Sequence, residues 1–403
     1  MLSREWLRES VAHAFGVGLS GAPPQLGLEV EAIPLDARTG RPAGVDVSLR
    51  ALRALSWTEQ LSGKSGVAEL RRPDGAKLTF EPGGQIEYSS APHPSGTALL
   101  SDVEGAIADI RGALADEQCS LLFMGLDPLT PVTDVPLQLD AERYRRMDAW
   151  FASIGPSGRR MMRQTASIQL CIDTGDHPIA RWRLLAALAP AAAAVFANSA
   201  MDTGVHTGER SRRRRIWAEL DPSRTGLRAI GVDPIEEYLD FAIAAPAFLL
   251  GEDPRFALPF DHWRSRGASE SDWREHLSTL FPDVRPRGYF EFRVADAVDG
   301  DALPALLALV AAPAWHAPTM TALSTLLPPP TAGLMARAGA LGLGDSELAE
   351  AALTCSTHGL AACEALGETF LDADAVARAQ RYLRTYTHAA RAPADDVLAP
   401  ATA

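Results

Sequence analysis

The sequence predicts an α+β fold, an antiparallel sheet with its helices gathered on one face. Runs of two-residue alternation near 25–33, 77–81, 84–90, 119–125, 163–173 and 287–295 read as strands. They do not alternate regularly with helical patterns, as a doubly wound parallel sheet would require. Helical periodicity covers roughly 48–60, 95–117, 140–153, 178–197, 233–250, 270–280, 301–312 and 345–390. A short helix over 2–15 precedes a loop from Gly16 to Pro24, and Pro328 to Pro330 break the chain before its last helical third. No internal repeat or low-complexity linker divides the chain. The expected organisation is a core over 1–300, a helical part of the same domain over 301–391, and a frayed tail over 392–403.

Composition narrows the function. The chain has 403 residues, 47% of them hydrophobic and 22% charged, the profile of a soluble globular protein with a sizeable core. Its net charge of −13 argues against a nucleic-acid partner, because phosphate binding needs a basic face. Lys64 and Lys77 are the only lysines, so arginine, which grips carboxylate and phosphate in a fork, carries nearly all the positive charge. Cys119, Cys171, Cys355 and Cys363 are widely spaced, as reduced thiols are, and read as structural. Every apolar run is interrupted before membrane-spanning length, and residues 1–10 do not read as a signal peptide. A cytoplasmic protein without a membrane partner, monomeric or a small homo-oligomer, is expected.

Two glycine motifs fail on context. Gly16-Val-Gly-Leu-Ser-Gly21 has the dinucleotide-binding spacing, but it follows a helix and runs into Pro23-Pro24. Gly63-Lys64-Ser65 resembles the end of a P-loop, but Thr58 stands where the first glycine belongs.

The chemistry lies in four strand segments whose alternation puts polar groups on one face. Glu29 and Glu31 share a face opposite Leu28, Val30 and Ala32. Gln85 and Glu87 oppose Ile86; Arg163, Thr165, Ser167 and Gln169 oppose Ala166 and Ile168; Glu291 and Arg293 oppose Phe290 and Phe292. A solvated sheet face would explain any one of these. Together they describe a surface crowded with carboxylates, which repel one another unless cations compensate them. Oxygen-only ligands suit Mg²⁺ or Mn²⁺, and Mg²⁺ accompanies nucleotide phosphates, so a metal–nucleotide cleft is expected. The turn Pro82-Gly83-Gly84 brings Glu81 and Glu87 toward one place. The basic run Arg210 to Arg215 reads as a mostly solvated face, with one or two members available to an anion.

These residues resemble those of glutamate–cysteine ligases of the plant and bacterial type. The matching motifs are Gly-x-Glu-x-Glu at 27–31, Glu-Pro-Gly-Gly-Gln-x-Glu at 81–87, Met-Arg-x-Thr-x-x-x-Gln at 162–169 and Phe-Ala-Asn-Ser at 196–199. Ile-Trp followed by Asp-x-x-Arg-Thr-Gly at 216–226, His-Leu-Ser-Thr-Leu-Phe-Pro at 276–282 and Tyr-Phe-Glu-Phe-Arg-x-Ala-Asp at 289–296 continue the series in order. Arg-Pro-Arg-Gly-Tyr at 285–289 and His-Thr-Gly at 206–208 look more like the actinobacterial branch that feeds ergothioneine synthesis.

The resemblance implies a glutamine-synthetase-like fold, a curved antiparallel sheet forming an active-site funnel with helices on its outer face. It also implies ATP-dependent joining of glutamate to cysteine by residues 1–300 as the catalytic core. Glu29, Glu31, Glu81, Glu87 and Glu291 are then the expected magnesium ligands. Arg163, Arg213 and Arg293 would hold the glutamate carboxylate or the transferring phosphoryl group; Gln85, Gln169, Asn198 and Arg224 would line the site for substrate and ATP. Ala200 stands where the family usually has proline, Val294 where glycine is common, and Phe290 and Phe292 replace smaller aliphatics. These departures bear on the amine-substrate pocket more than on phosphoryl transfer. The competing readings are a ligase with another amine acceptor and a non-catalytic nucleotide or glutamate sensor.

Overall fold

The computed structural model describes residues 2–19, 21, 23–63, 66–226 and 231–398. Its strands are β1 (Leu26–Asp36), β2 (Thr58–Leu61), β3 (Ala68–Arg71), β4 (Lys77–Phe80), β5 (Ile86–Ser89), β6 (Cys119–Leu122), β7 (Ser167–Asp173), β8 (Met201–Asp202), β9 (Val205–His206), β10 (Val284–Pro286) and β11 (Tyr289–Asp296). Nine form one sheet in the order β10-β11-β7-β1-β5-β4-β3-β2, with β6 added on β1. All pairings are antiparallel. Strand β1 is the hub. Its first half lies between β7 and β5, and its last four residues, Ile33 to Asp36, pair with β6.

Alternation splits the sheet into two chemically different faces. Leu28, Val30, Leu78, Ile86, Tyr88, Ile168, Leu170, Phe290 and Phe292 all enter one continuous core. Each such side chain contributes about 1.5–3 kcal/mol by leaving water. Helix Gly96–Asp116 covers β1 and β6, and helix Pro178–Val195 lies on β11. From Leu184 to Val195 the latter is buried on nearly every side, as its unbroken apolar composition requires, with helices Ala332–Leu341 and Ser346–Leu366 enclosing it. The same core continues to Leu383, so the C-terminal helices brace the sheet from behind. No single helix among the described residues is long and apolar enough to cross a membrane.

One irregularity matters for the site. In β11, Phe292 pairs with Leu170 but Ala295 with Ile168, so one extra residue bulges at Arg293–Val294. A bulge leaves backbone carbonyls without ladder partners. The guanidinium of Arg213 supplies them, donating to the carbonyls of Arg293 at 3.0 Å, Ala295 at 3.3 Å and Val294 at 3.4 Å.

Several elements depart from the sequence reading. The helix expected over 48–60 is Val45–Leu52 plus a short turn to Leu55, after which left-handed Ser56 redirects the chain into β2. The strand expected from 163 starts only at Ser167; residues Ser157–Gln164 are helical. The basic run is itself a helix, Arg212–Leu220, with the Ser211 hydroxyl accepting from the Arg214 N–H at its start. The helical pattern over 345–390 is split by Gly367, whose φ of 70° ends one helix before Ala373–Thr385 begins. The tail is docked as far as Asp396: Ala392 and Ala394 are buried, Asp395 pairs with Arg210 at 2.5 Å, and Asp396 accepts from Tyr386. Of the two glycine motifs, Gly16 to Leu19 form a turn; Ser20, Lys64 and Ser65 lie outside the described residues.

The turn after β4 abuts the helix Ser157–Gln164 with no space between backbones. A Cβ on Gly83 would lie 2.1 Å from the carbonyl oxygen of Arg163. Gly83→Ala should therefore cost about 2–4 kcal/mol, an overpacking strain that neither backbone can relieve. Chemical denaturation of the variant measures it directly.

Candidate active site

The polar face of the sheet floors a cavity of about 670 Å³. Glu31 on β1 and Glu87 on β5 are direct cross-strand partners. Glu81 reaches the same place from the β4–β5 turn, where its N–H donates to Gln85 O at 2.8 Å and Gly84 takes φ 93°. Carboxylate oxygens of Glu31, Glu81 and Glu87 lie within 4.8 Å of one another. Glu31 is fixed by the Ser167 N–H at 2.8 Å, the Ser167 hydroxyl at 3.1 Å and the Gln169 amide at 2.9 Å. Glu87 accepts from Thr79 at 2.9 Å and Ser89 at 3.3 Å. Glu29 lines the cavity one step along β1, paired in register with Gln169 and Ser89.

Glu291 plays a different part. It is fully buried and bound by Arg285 at 2.5 Å, Arg287 at 2.5 Å and Arg293 at 3.2 Å. Burial alone would raise its pKa; Arg285, Arg293 and Arg287 instead hold it far below the usual carboxylate range. Three guanidiniums bind it, and its oxygens are not among those that converge at Glu31, Glu81 and Glu87. Arg293 also donates to the Gln169 oxygen, and Gln169 in turn holds Glu31. A single chain of contacts thus runs from the arginine cluster to the triad.

The remaining glutamates are poorly compensated. Burial, then Glu87 and Glu291, push Glu29 up to about 8. Burial and Glu87 raise Glu31, and burial, Glu87 and Glu31 raise Glu81 well above the ordinary value. A divalent cation would supply the missing positive charge, and three convergent oxygen donors are the right chemistry for one. The residues therefore fit Mg²⁺ or a similar hard cation, which Glu31, Glu81 and Glu87 could hold.

The structure brings Gln85, Gln169, Arg213 and Arg293 to the cavity with the glutamates of β1, the β4–β5 turn and β5. Arg213 is buried to 1% exposure and its pKa falls to about 10, chiefly by desolvation, which leaves it charged. Gln85 is committed to the scaffold, donating to Thr165 O at 2.8 Å and accepting from the Gly83 N–H at 3.0 Å. Three expected residues lie elsewhere. Arg163 sits on a helix, not a strand, pairs with Asp148 and donates to Val135 O. Arg224 is fully buried against Asp221 and Thr279, with its guanidinium over the Phe248 ring. Asn198 ties together the carbonyls of Phe123 and Ala297.

Sequence reading missed several lining residues. Lys77 shares the face of Thr79 and Glu81, so extending the alternation along β4 would have found it. Arg143, Tyr144 and Met147 come from helix Glu142–Ile154, and Trp217 from helix Arg212–Leu220. No strand alternation announces them, although Trp217 stands in the Ile-Trp motif at 216–217.

A carboxylate triad fit for a divalent cation, with guanidiniums above and beside it, is the equipment of an enzyme that moves phosphoryl groups onto anionic small molecules. Comparison with known proteins narrows this class. The model of glutamate-cysteine ligase family 2 (GCS2) matches residues 25–389, and the chain belongs to that family. It is 34% identical to the glutamate–cysteine ligase EgtA of Mycolicibacterium smegmatis over 379 residues, covering 86% of this chain and 82% of that one. The EgtA of Mycobacterium tuberculosis is 33% identical over 73% of this chain and 69% of its own. A chloroplastic glutamate–cysteine ligase B of Oryza sativa is 27% identical over 69% and 60% respectively. The solved glutamate–cysteine ligase of Francisella tularensis in complex with AMP shares the fold, with a TM-score of 0.57 over 94% of this chain and 85% of that one at 12% identity.

The raised Glu29 predicts a pH signature. Between its ordinary value of 4.5 and about 8 the folded protein holds a proton that the unfolded chain has released. Cation-free stability therefore falls as pH rises through that window. A divalent cation held by Glu31, Glu81 and Glu87 would favour the ionised forms of Glu31 and Glu81, whose pKa values are raised too, and of nearby Glu29, so its stabilisation should grow with pH. Thermal unfolding with and without Mg²⁺ should show a larger rise in Tm at about pH 8 than at about pH 5.5. Equal rises at both would remove the glutamate cluster as the cation site.

Proposed function

We propose that the protein joins the γ-carboxylate of L-glutamate to the amine of L-cysteine, using ATP and Mg²⁺ or Mn²⁺, and releases γ-glutamylcysteine, ADP and phosphate. The product would feed low-molecular-weight thiol synthesis, of ergothioneine or glutathione. The observation that carries the reading is the triad of Glu31, Glu81 and Glu87 beside Arg293 on one sheet face. A carboxylate is a poor electrophile, because nucleophilic displacement would expel oxide. Phosphorylation by ATP gives γ-glutamyl phosphate, from which the amine displaces phosphate.

Each residue then has a task that its geometry allows. Glu31, Glu81 and Glu87 would hold the cation, which when bound neutralises phosphate charge during transfer. Arg293, locked by Gln169 and Glu291, would face the same phosphoryl oxygens without reorganising. Arg285 and Arg287, anchored on Glu291, and half-buried Lys77 give the β10–β11 side and β4 the cations that the nucleotide phosphates need. Arg213 fixes the bulge that aims Arg293, and it also contributes positive potential to the floor. The sensor reading has no support in the family comparison, whose named relatives are ligases.

ADP release from purified protein with Mg-ATP tests this. Strong release only with glutamate plus cysteine, with γ-glutamylcysteine in the mass spectrum, is the expected result; release with another amine alone would change the acceptor. Two substitutions separate site from scaffold. Glu87→Gln should lower kcat by about 10²-fold or more while Tm holds. Arg163→Met should lower Tm by several degrees, with kcat/KM per folded molecule changed by less than about threefold.

A further inference from the structure

Where the chain leaves β11, a second cleft opens between residues 298–301 and helix Ala373–Thr385. It measures about 430 Å³, within the range of about 300–1,000 Å³ that small-molecule sites occupy, and it shares no lining residue with the catalytic cavity. Phe123, Tyr382 and Tyr386 give it rings. Tyr382 stacks on Phe196 at 5.5 Å between centroids and meets Tyr386 at 4.9 Å, so the core holds these rings in place. Their hydroxyls are already committed, Tyr382 donating to Val195 O at 3.0 Å and Tyr386 to Asp396 at 2.6 Å. What they still offer a ligand is ring surface.

Beside the rings stand polar groups of both signs with bonding capacity left over. The amide nitrogen of Asn198 donates to the carbonyls of Phe123 and Ala297, each at 2.9 Å, and among the described residues its side-chain oxygen accepts from nothing. Asp299 gives one oxygen to Arg111 and keeps the other. Arg381 is fixed on Asp301 through Nε at 2.8 Å and one Nη at 3.2 Å, and its other Nη is free. Two free acceptors and one free guanidinium nitrogen suit a ligand that carries both an ammonium and a carboxylate. Three rings suit one that also carries a ring. A nucleotide fits poorly, because its phosphates would meet Asp299 and Asp301.

We propose that this cleft is a second ligand site, separate from the catalytic cavity, for an aromatic amino acid bound as its zwitterion. The carboxylate meets Arg381, the ammonium meets Asp299 and the Asn198 oxygen, and the ring packs among Phe123, Tyr382 and Tyr386. Asn198 also joins the cleft to the catalytic floor. Its N–H donates to Asp296 at 2.8 Å, Ser199 donates to Asp296 at 2.7 Å, and Ser199 accepts from the Arg213 N–H at 3.1 Å. Arg213 in turn caps the bulge behind Arg293. A ligand seated on Asn198 is therefore felt in turnover. Binding at this cleft is independent of the ligase reading; the effect on turnover rests on it.

Calorimetry on the full chain tests the site, with Mg-ADP, glutamate and cysteine filling the catalytic cavity without turnover. The probes are L-phenylalanine, L-tyrosine, L-tryptophan and L-histidine, of which at least one should bind with Kd below about 1 mM. The matching amine without its carboxylate, and the matching acid without its amine, should each bind about tenfold or more weakly. Arg381→Ala should weaken the best probe about tenfold. Thr385→Trp, which fills the cleft from an exposed helix end, should abolish its binding, and both variants should keep their Tm. At saturating glutamate, cysteine and Mg-ATP the probe should change kcat about twofold or more, where a competitor for the catalytic cavity would have no effect. Arg381→Ala should need about tenfold more probe for the same change. No heat from any of the four up to about 10 mM would overturn the site. Binding that both variants leave intact would place the probe elsewhere and overturn it too. Binding with kcat unmoved would overturn the link through Asn198. Absence of turnover with glutamate and cysteine would sink the ligase reading alone, since calorimetry still decides the site.

Discussion

Glutamates on one face of a sheet repel one another, and the architecture around this site is the means of tolerating that repulsion. Glu29, Glu31, Glu81 and Glu87 come from adjacent strands and a tight turn, close enough for burial and mutual charge to raise three of them. Protein interiors do not accept such a group without cations. The chain provides most of them from one side, through β10 and β11, with Arg213 of helix Arg212–Leu220 and Lys77 of β4 adding to them. Glu291 there gathers Arg285, Arg287 and Arg293. The cavity is consequently polarised, with permanent cations at the β10–β11 side and an acidic centre at Glu31, Glu81 and Glu87.

Holding that polarity rigid requires a backbone defect and its repair. The β11 bulge turns Arg293 toward Gln169, and Arg213 caps the carbonyls that the bulge exposes. Asp296 lies beneath, 1% exposed, accepting from the Asn198 N–H, Ser199 and Ser211. Removing any member would leave a buried polar group unpaired, at about 1–3 kcal/mol or more for a charge. This explains why Asn198 and its neighbours belong to the recognisable motifs without touching the cavity. Their task is to keep the floor in register.

The same logic accounts for Arg163 and Arg224. Each sits in a stretch that resembles the family, and each is consumed by a partner, Asp148 and Asp221 respectively. Arg143 has no such partner among the described residues, although nothing in its sequence context distinguishes it from the other arginines. An arginine's use depends on whether a carboxylate from another element reaches it first, and that is a property of packing.

Residue order alone determined the sheet's two faces and the glutamates on one of them, because strand alternation is a local rule that holds wherever a strand forms. It also carried the fold class and the chemical family, through motifs spread from 27 to 296. It missed β2 and β3, short strands whose pairing is set by neighbours and not by hydrophobic pattern. It also drew Arg163 as a strand residue because helix Ser157–Gln164 ends only three residues before β7. Only the tertiary structure decided which arginines are spent inside the scaffold, that Glu291 gathers cations, and that helices Glu142–Ile154 and Arg212–Leu220 wall the cavity. Ion pairing and cavity lining join residues far apart in the chain, and no local period encodes a contact of that range.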